Sequence, residues 1–479
     1  MIRITTFAGR QVAVFGLGGS GLAAARALRD GDATVLCWDD GAAGRDLALA
    51  EGFIVEDLLA VDWRGIGALV LAPGVPLTHP VPHAVVQKAR AAGAEIIGDI
   101  ELFFRQRAAD CPDAPVVCIT GTNGKSTTTA LVAHILLTAG HDVQMGGNIG
   151  KAILTLEPPS MERIHVIEIS SFQIDLTPSL MPTIGVIMNL TPDHLDRHGP
   201  ADDLDLAMRN YAGIKERVVG KSAHAVVSLD DAWSAAIAER QSRPAVTPAV
   251  TMSVRAGVAA DITVSGDEVR VRDGVFAGRA GFGPFSLAGI NTLRGAHNAQ
   301  NACAAIAVAG LLDLSTHATQ RGLQTYPGLP HRMEEVGRAG RILFINDSKA
   351  TNADSSEKAL SAFPSDIYWI LGGKPKEGGI TTLAPLFSRI AKAYLIGAAS
   401  DQFAATFEGN VVFERSGTLD QAVAAAARDA AANAAAEPVV LLSPACASYD
   451  QFKNFEVRGD KFRALVAALP GVGDQDRTK

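Results

Sequence analysis

The segment VVCITGTNGKSTTT, Val116 to Thr129, constrains the fold of this chain most strongly. A short β-branched run leads into a glycine-rich turn, which is followed by a helical pattern with apolar residues at Leu131, Val132, Ile135 and Leu136. Such a turn presents backbone N–H groups and a helix N-terminus to an anion, so the segment predicts a phosphate-binding loop. We expect Lys125 to reach the β- and γ-phosphates and the Ser126 hydroxyl to bind Mg²⁺. The match to the motif GxxxxGK[ST] is imperfect, because Ile119 occupies the position of its first glycine. An ordinary strand–helix turn is therefore the alternative.

A second glycine-rich turn lies near the N-terminus, in VAVFGLGGSG. Gly16, Gly18 and Gly21 form GxGxxG between a predicted strand and a helix predicted over Leu22 to Arg29, and the next strand ends at Asp39. This pattern is typical of dinucleotide binding and taken alone favours NAD. Its physical requirement is only a phosphate-bearing nucleotide at the helix N-terminus, and tight packing by small residues is the alternative.

Composition and charge narrow the class of protein. A chain of 479 residues with 48% hydrophobic residues predicts a soluble α/β enzyme of about two to four domains. The net charge of −8 argues against a nucleic-acid-binding protein, which needs a basic face. No apolar run reaches the roughly 18 residues of a membrane span, and Met1 to Gly9 lacks the apolar core of a signal peptide. Five scattered cysteines without a CxxC pair fit reduced thiols, so we expect a cytoplasmic protein without a membrane partner.

Polar residues follow two predicted strands in the same block as the phosphate-binding loop. HVIEISS carries Glu168 near its end, and the apolar run TIGVIMNL precedes Asp193, His194 and Asp196. Because ligands collect beyond the carboxyl ends of parallel strands, we expect these side chains on the same edge as the loop. Carboxylate and imidazole groups there could bind Mg²⁺, although a polar loop without a role is the alternative for DHLDRH.

The rest of the chain continues the alternation of strands and helices. Residues 231–285 look irregular apart from one hairpin, and we expect them to be peripheral. Further strands are predicted at RILFIND, DIYWILGG, AYLIG and PVVLLSP. Polar clusters follow three of them, in NDSKATN, GGKPKEGG and SPACASYDQFKNFEVRG. Polar insertions after successive parallel strands predict another binding edge.

Several motifs together resemble the Mur ligases, and most closely the D-glutamate-adding members of that family. In the family's order, they are TGTNGKSTTT, GNIG, EISSFQ, HNAQN, LPHR, NDSKATN and SPACASYDQFKNFEVRG. The resemblance implies an α/β fold of three domains. These are a Rossmann-like UDP-substrate domain (1–107), a central P-loop ATPase-like parallel-sheet domain that binds ATP (108–328), and a Rossmann-like amino-acid domain (329–479). It also implies that the first glycine turn holds the uridine-diphosphate end of a substrate and not NAD.

The activity implied by this resemblance is ATP-dependent amide ligation in peptidoglycan precursor synthesis. ATP phosphorylates the L-alanine carboxylate of UDP-N-acetylmuramoyl-L-alanine, and the amine of D-glutamate attacks the acyl phosphate. The implied catalytic residues are Lys125, Glu168, His194 and Lys215. One Mg²⁺ is implied between Ser126 and Glu168, and a second at His194 and Lys215, which would bind as a carbamate. We expect a monomer.

The remaining binding residues are also carried over from the resemblance. The implied ATP-binding residues are Gly121, Thr122, Asn123, Gly124, Lys125, Ser126, Thr127, Asn301, Arg332 and Asp347. Those for the UDP substrate are Gly18, Ser20, Asp39, Asn148, Ser170, Gln173 and His194. Those for D-glutamate are Thr351, Lys376, Ser448 and Phe455. The chain departs from the family at Asp40-Gly41, where a polar or basic pair meets the uracil, and Lys374 competes with Lys376 for the D-glutamate role.

Other functions remain open on the sequence. A sister Mur ligase or a folylpolyglutamate-type ligase would share the ATP loop and use another amino acid. A dehydrogenase would bind NAD at GxGxxG, and a non-catalytic nucleotide switch would turn ATP over slowly whatever amino acid is present.

Overall fold

The protein is described by a computed structural model that covers residues 1–241, 248–276, 281–375, 378–435 and 437–472. The chain forms two compact units. The first consists of Met1–Ala288 and Asn298–Tyr326, and the second of Gly289–His297 and Pro327–Lys479. Each sheet is largely parallel and carries helices between its strands, which confirms the predicted α/β class. The divisions predicted after residues 107 and 328 stay predictions.

The first sheet has five parallel strands in the order β3-β2-β1-β4-β5. Its strands are β1 (Gln11–Phe15), β2 (Thr34–Trp38), β3 (Ile54–Val55), β4 (Ile66–Leu71) and β5 (Glu95–Ile97). Its helices are α1 (Gly19–Asp30), α2 (Ala42–Ala50), α3 (Ala84–Ala91) and α4 (Asp99–Asp110). Helix α1 begins three residues earlier than predicted, because Gly18 takes the N-cap position with extended backbone angles.

The second sheet has nine strands in the order β14-β13-β12-β11-β10-β9-β6-β8-β7. The strands are β6 (Val116–Thr120), β7 (Asp142–Gly147), β8 (Arg163–Glu168), β9 (Ile184–Ile187), β10 (His224–Ser228), β11 (Val250–Ser253), β12 (Ile262–Ser265), β13 (Glu268–Val271) and β14 (Phe285–Ser286). The accompanying helices are α5 (Lys125–Thr138), α6 (Ser171–Asp175), α7 (Leu204–Gly220), α8 (Ala232–Gln241), α9 (Ala296–Leu311) and α10 (Thr316–Gln324). Strands β6 to β12 pair in parallel, and β13 and β14 continue the sheet antiparallel.

Residues 231–285 are more regular than the sequence suggested. The predicted hairpin is confirmed as β12 and β13, but α8 and β11 were missed. Strand β11 pairs in parallel with β10, so the segment extends the central sheet. Helix α8 forms because its AWSAAIAER sequence favours helix and buries Ile237 and Ala238.

The third sheet has six strands in the order β15-β16-β20-β17-β18-β19. The strands are β15 (Glu334–Ala339), β16 (Ile342–Asn346), β17 (Ile367–Gly372), β18 (Ile390–Ile396), β19 (Phe413–Gly417) and β20 (Val439–Leu442). The helices are α11 (Ala353–Ser361), α12 (Ser400–Phe407), α13 (Leu419–Ala432) and α14 (Phe455–Ala467). Only the pairing of β15 with β16 is antiparallel among the described strand pairs of this sheet.

Apolar side chains from the first two sheets form one continuous core within the first unit. Phe103 of α4 belongs to the same buried cluster as Cys118 of β6 and Ile167 of β8. A shared core of this kind fixes the glycine turn of the first sheet relative to the phosphate-binding loop of the second. In the described part of the chain, no helix combines the length and apolar composition that a membrane crossing requires.

Candidate active site

The predicted phosphate-binding loop joins β6 to α5, and two of its positions require glycine. Gly121 and Gly124 have φ angles of 152° and 82°, which L side chains rarely adopt. A Cβ atom at Gly124 would lie 2.4 Å from Oδ1 of Asn301, and one at Gly121 would lie 2.8 Å from Cβ of Met188. The turn therefore brings backbone close to its neighbours in a way that only glycine permits.

Lys125 is the first residue of α5 and lies across its own loop. Its Nζ donates hydrogen bonds to the carbonyl oxygens of Gly121 at 2.9 Å and Thr122 at 2.8 Å. The side chain is half-buried, so it does not form part of the apolar core. The ammonium group is therefore held against the loop at the N-terminus of α5, where an anionic phosphate would be stabilised.

Two residues to which the sequence analysis assigned no role form hydrogen bonds with the phosphate-binding loop. Asn189 follows β9, and its Oδ1 accepts a hydrogen bond from the backbone N–H of Asn123 at 2.8 Å. Its Nδ2 donates a hydrogen bond to the Asn123 carbonyl oxygen at 3.2 Å. The hydroxyl of Tyr211 on α7 lies 3.0 Å from Oγ1 of Thr122. Asn189 is the first polar residue after the apolar strand, and this was the signal that could have identified it.

Asn301, predicted from the resemblance to bind nucleotide, lies against the start of α5. Its Oδ1 accepts a hydrogen bond from Oγ1 of Thr128 at 3.1 Å, and its Nδ2 donates to Oδ1 of Asn298 at 3.0 Å. Ser126 and Thr127 are buried in the first turn of the same helix. The predicted ATP-binding residues of the first unit therefore lie around one helix N-terminus.

Glu168 ends β8, the strand beside β6, and its side chain is only 2% exposed. Oε1 accepts a hydrogen bond from Nδ2 of Asn148 at 2.7 Å. Oε2 is buried and has no hydrogen-bond partner among the described residues. Because an unpartnered buried carboxylate oxygen is costly, this atom is suited to a cation.

Lys215, on α7, is buried beneath the phosphate-binding loop with 2% exposure. Its Nζ donates to Oγ1 of Thr120 at 3.1 Å and to the Gly121 carbonyl at 2.9 Å. Burial, and then the nearby charge of Lys125, lower the pKa of this amine well below its ordinary value. Nothing in the segment YAGIKERV distinguishes Lys215 from a solvated helix lysine, and it is buried because α7 packs this side chain against β6.

His194 lies in the loop after β9, with a side chain that is 60% exposed. Its Nε2 is 3.5 Å from Oδ1 of Asp193, and Asp196 is exposed nearby in the chain. The buried histidine of this segment is His198, whose Nε2 lies 2.9 Å from Oγ of Ser171. Burial is the first cause that lowers the pKa of His198 to about 4, so the ring is neutral at pH 7. No group of three or more histidine, cysteine, aspartate or glutamate side chains within the described ranges could hold a metal ion by itself.

Residues predicted to bind the UDP substrate lie at the carboxyl ends of strands in the same unit. Gly18 caps α1, and Ser20 is half-buried in its first turn. The carboxylate of Asp39 accepts backbone N–H groups of Leu17 at 2.5 Å and Gly41 at 2.7 Å, so it braces the glycine turn. The structure thus gives Asp39 a local structural role that the fingerprint did not indicate.

Ser170 and Gln173 form the capping box of α6. The Ser170 hydroxyl accepts the Gln173 N–H at 3.3 Å, and Oε1 of Gln173 accepts the Ser170 N–H at 3.1 Å. Asp40, at the position that departs from the family pattern, lies with its Oδ2 3.1 Å from Nε2 of His83.

In the second unit, the charge of Arg332 acts on the buried carboxylate of Asp347. The Asp347 carboxylate accepts hydrogen bonds from Oγ of Ser443 at 2.9 Å and from the Met333 N–H at 3.2 Å. Burial raises the pKa of Asp347 to about 7, and the charge of Arg332 opposes that rise. Nε of Arg332 is buried without a hydrogen-bond partner among the described residues.

The predicted D-glutamate residues that are described follow strands of the third sheet. Thr351 is half-buried before α11, Ser448 is buried after β20, and Phe455 is the first residue of α14. Lys376 lies outside the described residues. Its competitor Lys374 is exposed and donates its backbone N–H to the Ala447 carbonyl at 2.9 Å.

Comparison with known proteins places the chain in a family. The family model described as "Mur ligase middle domain" matches residues 119–309, and the one described as "Mur ligase, glutamate ligase domain" matches residues 331–446. A relative in Nitrobacter hamburgensis, named UDP-N-acetylmuramoylalanine--D-glutamate ligase, is 58% identical over 98% of this chain and 99% of its own length. A relative of the same name in Rhizobium johnstonii is 55% identical, with 98% of each chain covered.

The chain is a Mur ligase. Two solved structures share the fold at low sequence identity. The UDP-N-acetylmuramate-alanine ligase of Thermotoga maritima has a TM-score of 0.57 at 17% identity, with 94% of this chain and 98% of that chain covered. A pseudomurein peptide ligase type C of Methanothermus fervidus has a TM-score of 0.53 at 19% identity, with 96% and 99% covered.

Proposed function

We propose that this Mur ligase joins the amine of D-glutamate to the L-alanine carboxylate of UDP-N-acetylmuramoyl-L-alanine, with ATP converted to ADP and phosphate. The observation that carries this proposal is the 58% identity, over nearly the full length of both chains, to a relative named for that reaction. The product would be a peptidoglycan precursor, made in the cytoplasm.

The phosphate-binding loop would hold the β- and γ-phosphates of ATP. Phosphoryl transfer requires mainly positioning and neutralisation of charge, and the backbone N–H groups before α5 together with the Lys125 ammonium supply both. Asn189 and Tyr211 would keep the loop in its binding conformation through their contacts with Asn123 and Thr122. The loop and Lys125 would bind and orient ATP but form no covalent bond with it.

Amide formation would proceed through an acyl phosphate. The alanine carboxylate attacks the γ-phosphorus and ADP leaves, and the D-glutamate amine then attacks the carbonyl carbon and expels phosphate. Asn148, Ser170 and Gln173 would orient the muramoyl substrate, whereas Thr351, Ser448 and Phe455 would receive D-glutamate. Lys376, or Lys374 in its place, would pair with a carboxylate of the amino acid.

The residues at the end of β8 fit a magnesium ion. The buried Oε2 of Glu168 lacks a hydrogen-bond partner among the described residues, and the Ser126 hydroxyl is the second predicted ligand. A site with so few protein ligands suits Mg²⁺, which keeps several waters and binds substrate phosphates. When bound, Mg²⁺ would neutralise phosphate charge, and His194 with Lys215 would hold a second ion.

Lys215 can bind a cation only after it loses its positive charge. Its nitrogen would attack the carbon of CO₂ and release a proton, which gives an anionic carbamate. This addition requires the neutral amine, and burial favours that form by lowering the pKa of Lys215. The hydrogen bonds from Nζ to Thr120 and Gly121 keep the nitrogen beneath the phosphate-binding loop.

Phosphate release with UDP-N-acetylmuramoyl-L-alanine, ATP and Mg²⁺, measured with and without D-glutamate, tests the proposal. We expect release to depend on all substrates and the mass of the product to increase by one glutamyl residue. A panel containing L-lysine, diaminopimelate and D-alanine separates this ligase from a sister enzyme. Use of another amino acid in place of D-glutamate would contradict the proposed specificity, and NAD binding without phosphate release would refute the ligase assignment.

A further inference from the structure

Arg458 is a buried cation in the second unit. It lies on α14, its residue is 1% exposed, and it is among the largest fully buried side chains of the chain. Nε donates to Oγ of Ser348 at 3.0 Å, and Nη2 donates to the carbonyl oxygens of Ser348 at 2.8 Å and Cys446 at 3.1 Å. A longer contact of 3.5 Å joins Nη1 to the Gly372 carbonyl.

These acceptors belong to three separate segments at the carboxyl edge of the third sheet. Ser348 follows β16, Gly372 ends β17, and Cys446 follows β20. The same segments lead into Thr351, Lys374 and Ser448. One rigid guanidinium fork therefore joins the segments that present the predicted D-glutamate residues.

A hydroxyl connects the guanidinium to a fourth part of this edge. The Ser348 hydroxyl accepts from Nε of Arg458 and donates to the carbonyl oxygen of Phe455 at 2.8 Å. Gly373 packs over the guanidinium: a Cβ atom there would lie 3.3 Å from Nη1 of Arg458 and 2.3 Å from the Ala447 carbonyl. The backbone is thus fitted closely around the arginine.

The guanidinium of Arg458 forms no ion pair with a carboxylate in the described part of the chain. All of its hydrogen-bond acceptors are neutral oxygens, and the carboxylates of Asp450 and Asp347 act on it only electrostatically, without a hydrogen bond to the guanidinium. Burial lowers the pKa of Arg458 to about 10, which leaves it charged at pH 7. A buried cation without a direct ion-pair partner is costly, and an anionic ligand bound nearby would reduce that cost.

We propose that Arg458 is a positioning residue that fixes the three strand-end segments of the amino-acid site and makes this edge selective for a dicarboxylate. The inference rests on the proposed function, since it takes D-glutamate as the ligand. Arg458 acts through the segments that it holds and through its field, and it does not itself touch the substrate.

The test compares Arg458→Met and Arg458→Lys with Arg428→Met, which removes an exposed arginine of α13 in the same unit. Steady-state kinetics are measured with D-glutamate and with D-glutamine, which lacks the γ-carboxylate. We expect Arg458→Met to raise KM for D-glutamate about tenfold or more, while KM for ATP and for the UDP substrate changes less than about twofold. The preference for D-glutamate over D-glutamine should fall by a similar factor, and Arg458→Lys should lie between wild type and Arg458→Met.

Several outcomes would overturn the inference. These are an unchanged KM for D-glutamate in folded Arg458→Met, or equal increases for all three substrates, which indicate only a structural role. If Arg458→Met does not fold, Ser348→Ala decides, because it removes the hydroxyl between Arg458 and Phe455 but keeps the charge. It should raise KM for D-glutamate about threefold, and no change would refute the proposal. Failure of wild type to use D-glutamate would instead refute the proposed function, before any variant is tested.

Discussion

Replacement of Lys215 by methionine separates a structural lysine from a functional one. Methionine has a similar length and fills the same buried space, so Lys215→Met removes the amine without opening a cavity. The change removes the two hydrogen bonds from Nζ and the contact of Nζ with the Tyr211 ring, whose centroid lies 4.9 Å away. The effect on stability can therefore be worked out from what happens to their acceptors.

Both acceptors keep another hydrogen-bond partner in the variant. The Thr120 hydroxyl donates to the Ile169 carbonyl at 2.8 Å, and the Gly121 carbonyl still accepts from Nζ of Lys125. Since no buried polar atom is left unpaired, we expect the free energy of unfolding to fall by only about 1 kcal/mol. If Lys215 carries the carbamate, however, the loss of one preorganised charge should reduce kcat about 100-fold or more.

The assay combines phosphate release with thermal unfolding. Lys221→Met, an exposed lysine just after α7, is the matched control and should retain activity. Acetate should restore part of the activity of Lys215→Ala, where the smaller side chain leaves room for a carboxylate. Depletion of bicarbonate should inactivate wild type reversibly. Full activity of Lys215→Met in bicarbonate-depleted buffer would refute the carbamate.

Three further predictions concern the loop, a buried histidine and the amino acid. Lys125→Ala should leave the melting temperature unchanged but cost roughly 3–4 kcal/mol of transition-state stabilisation, measured as a fall in kcat. The control Lys88→Ala, which removes an exposed lysine, should leave kcat unchanged. Burial is the first cause that lowers the pKa of His165 to about 4, so stability should fall by up to roughly 3 kcal/mol as pH drops from 6.5 towards 4. In denaturant titrations, His165→Gln should flatten the dependence of the free energy of unfolding on pH, whereas His141→Gln on the surface should leave it unchanged. Equal slopes of unfolding free energy against pH in the two variants would contradict this role of His165. Analogues of D-glutamate without the γ-carboxylate should lose on the order of 10⁴-fold in kcat/KM. If an analogue and D-glutamate gave similar values of kcat/KM, a site that pairs both carboxylates of the amino acid would be refuted.

The features predicted best from the sequence are those encoded by neighbouring residues. The phosphate-binding loop and the first glycine turn each combine a strand, glycines and a helix start within about fifteen residues, so local sequence specifies them. Glu168 could also be placed, because a carboxylate at the end of an apolar strand must lie at the carboxyl edge of the sheet.

The features that the sequence could not predict depend on contacts between distant residues. Lys215 and Thr120 are 95 positions apart, and nothing in YAGIKERV indicates that this lysine packs under β6. Asn189 and Asn123 are likewise brought together only by the pairing of β9 with β6. Arg458 stands in a motif that identified the family, but its burial follows from three strand ends that meet around it.

The chain handles the cost of a buried basic group differently in its two units. An amine can lose its proton, and burial drives Lys215 towards the neutral form, which leaves a nucleophilic nitrogen beneath the phosphate-binding loop. A guanidinium cannot do so at physiological pH, so Arg458 stays charged and is surrounded by carbonyl and hydroxyl dipoles. The first arrangement provides a group that CO₂ can convert to an anion, and the second provides a permanent positive field for an anionic ligand. A ligase of the proposed function would bind magnesium and phosphates in one place and a dicarboxylate in another, and it would use both arrangements. The choice of lysine at 215 and arginine at 458 therefore follows from the opposite charges that the two sites must present, and exchanging either for the other basic residue should impair the enzyme even though formal charge is conserved.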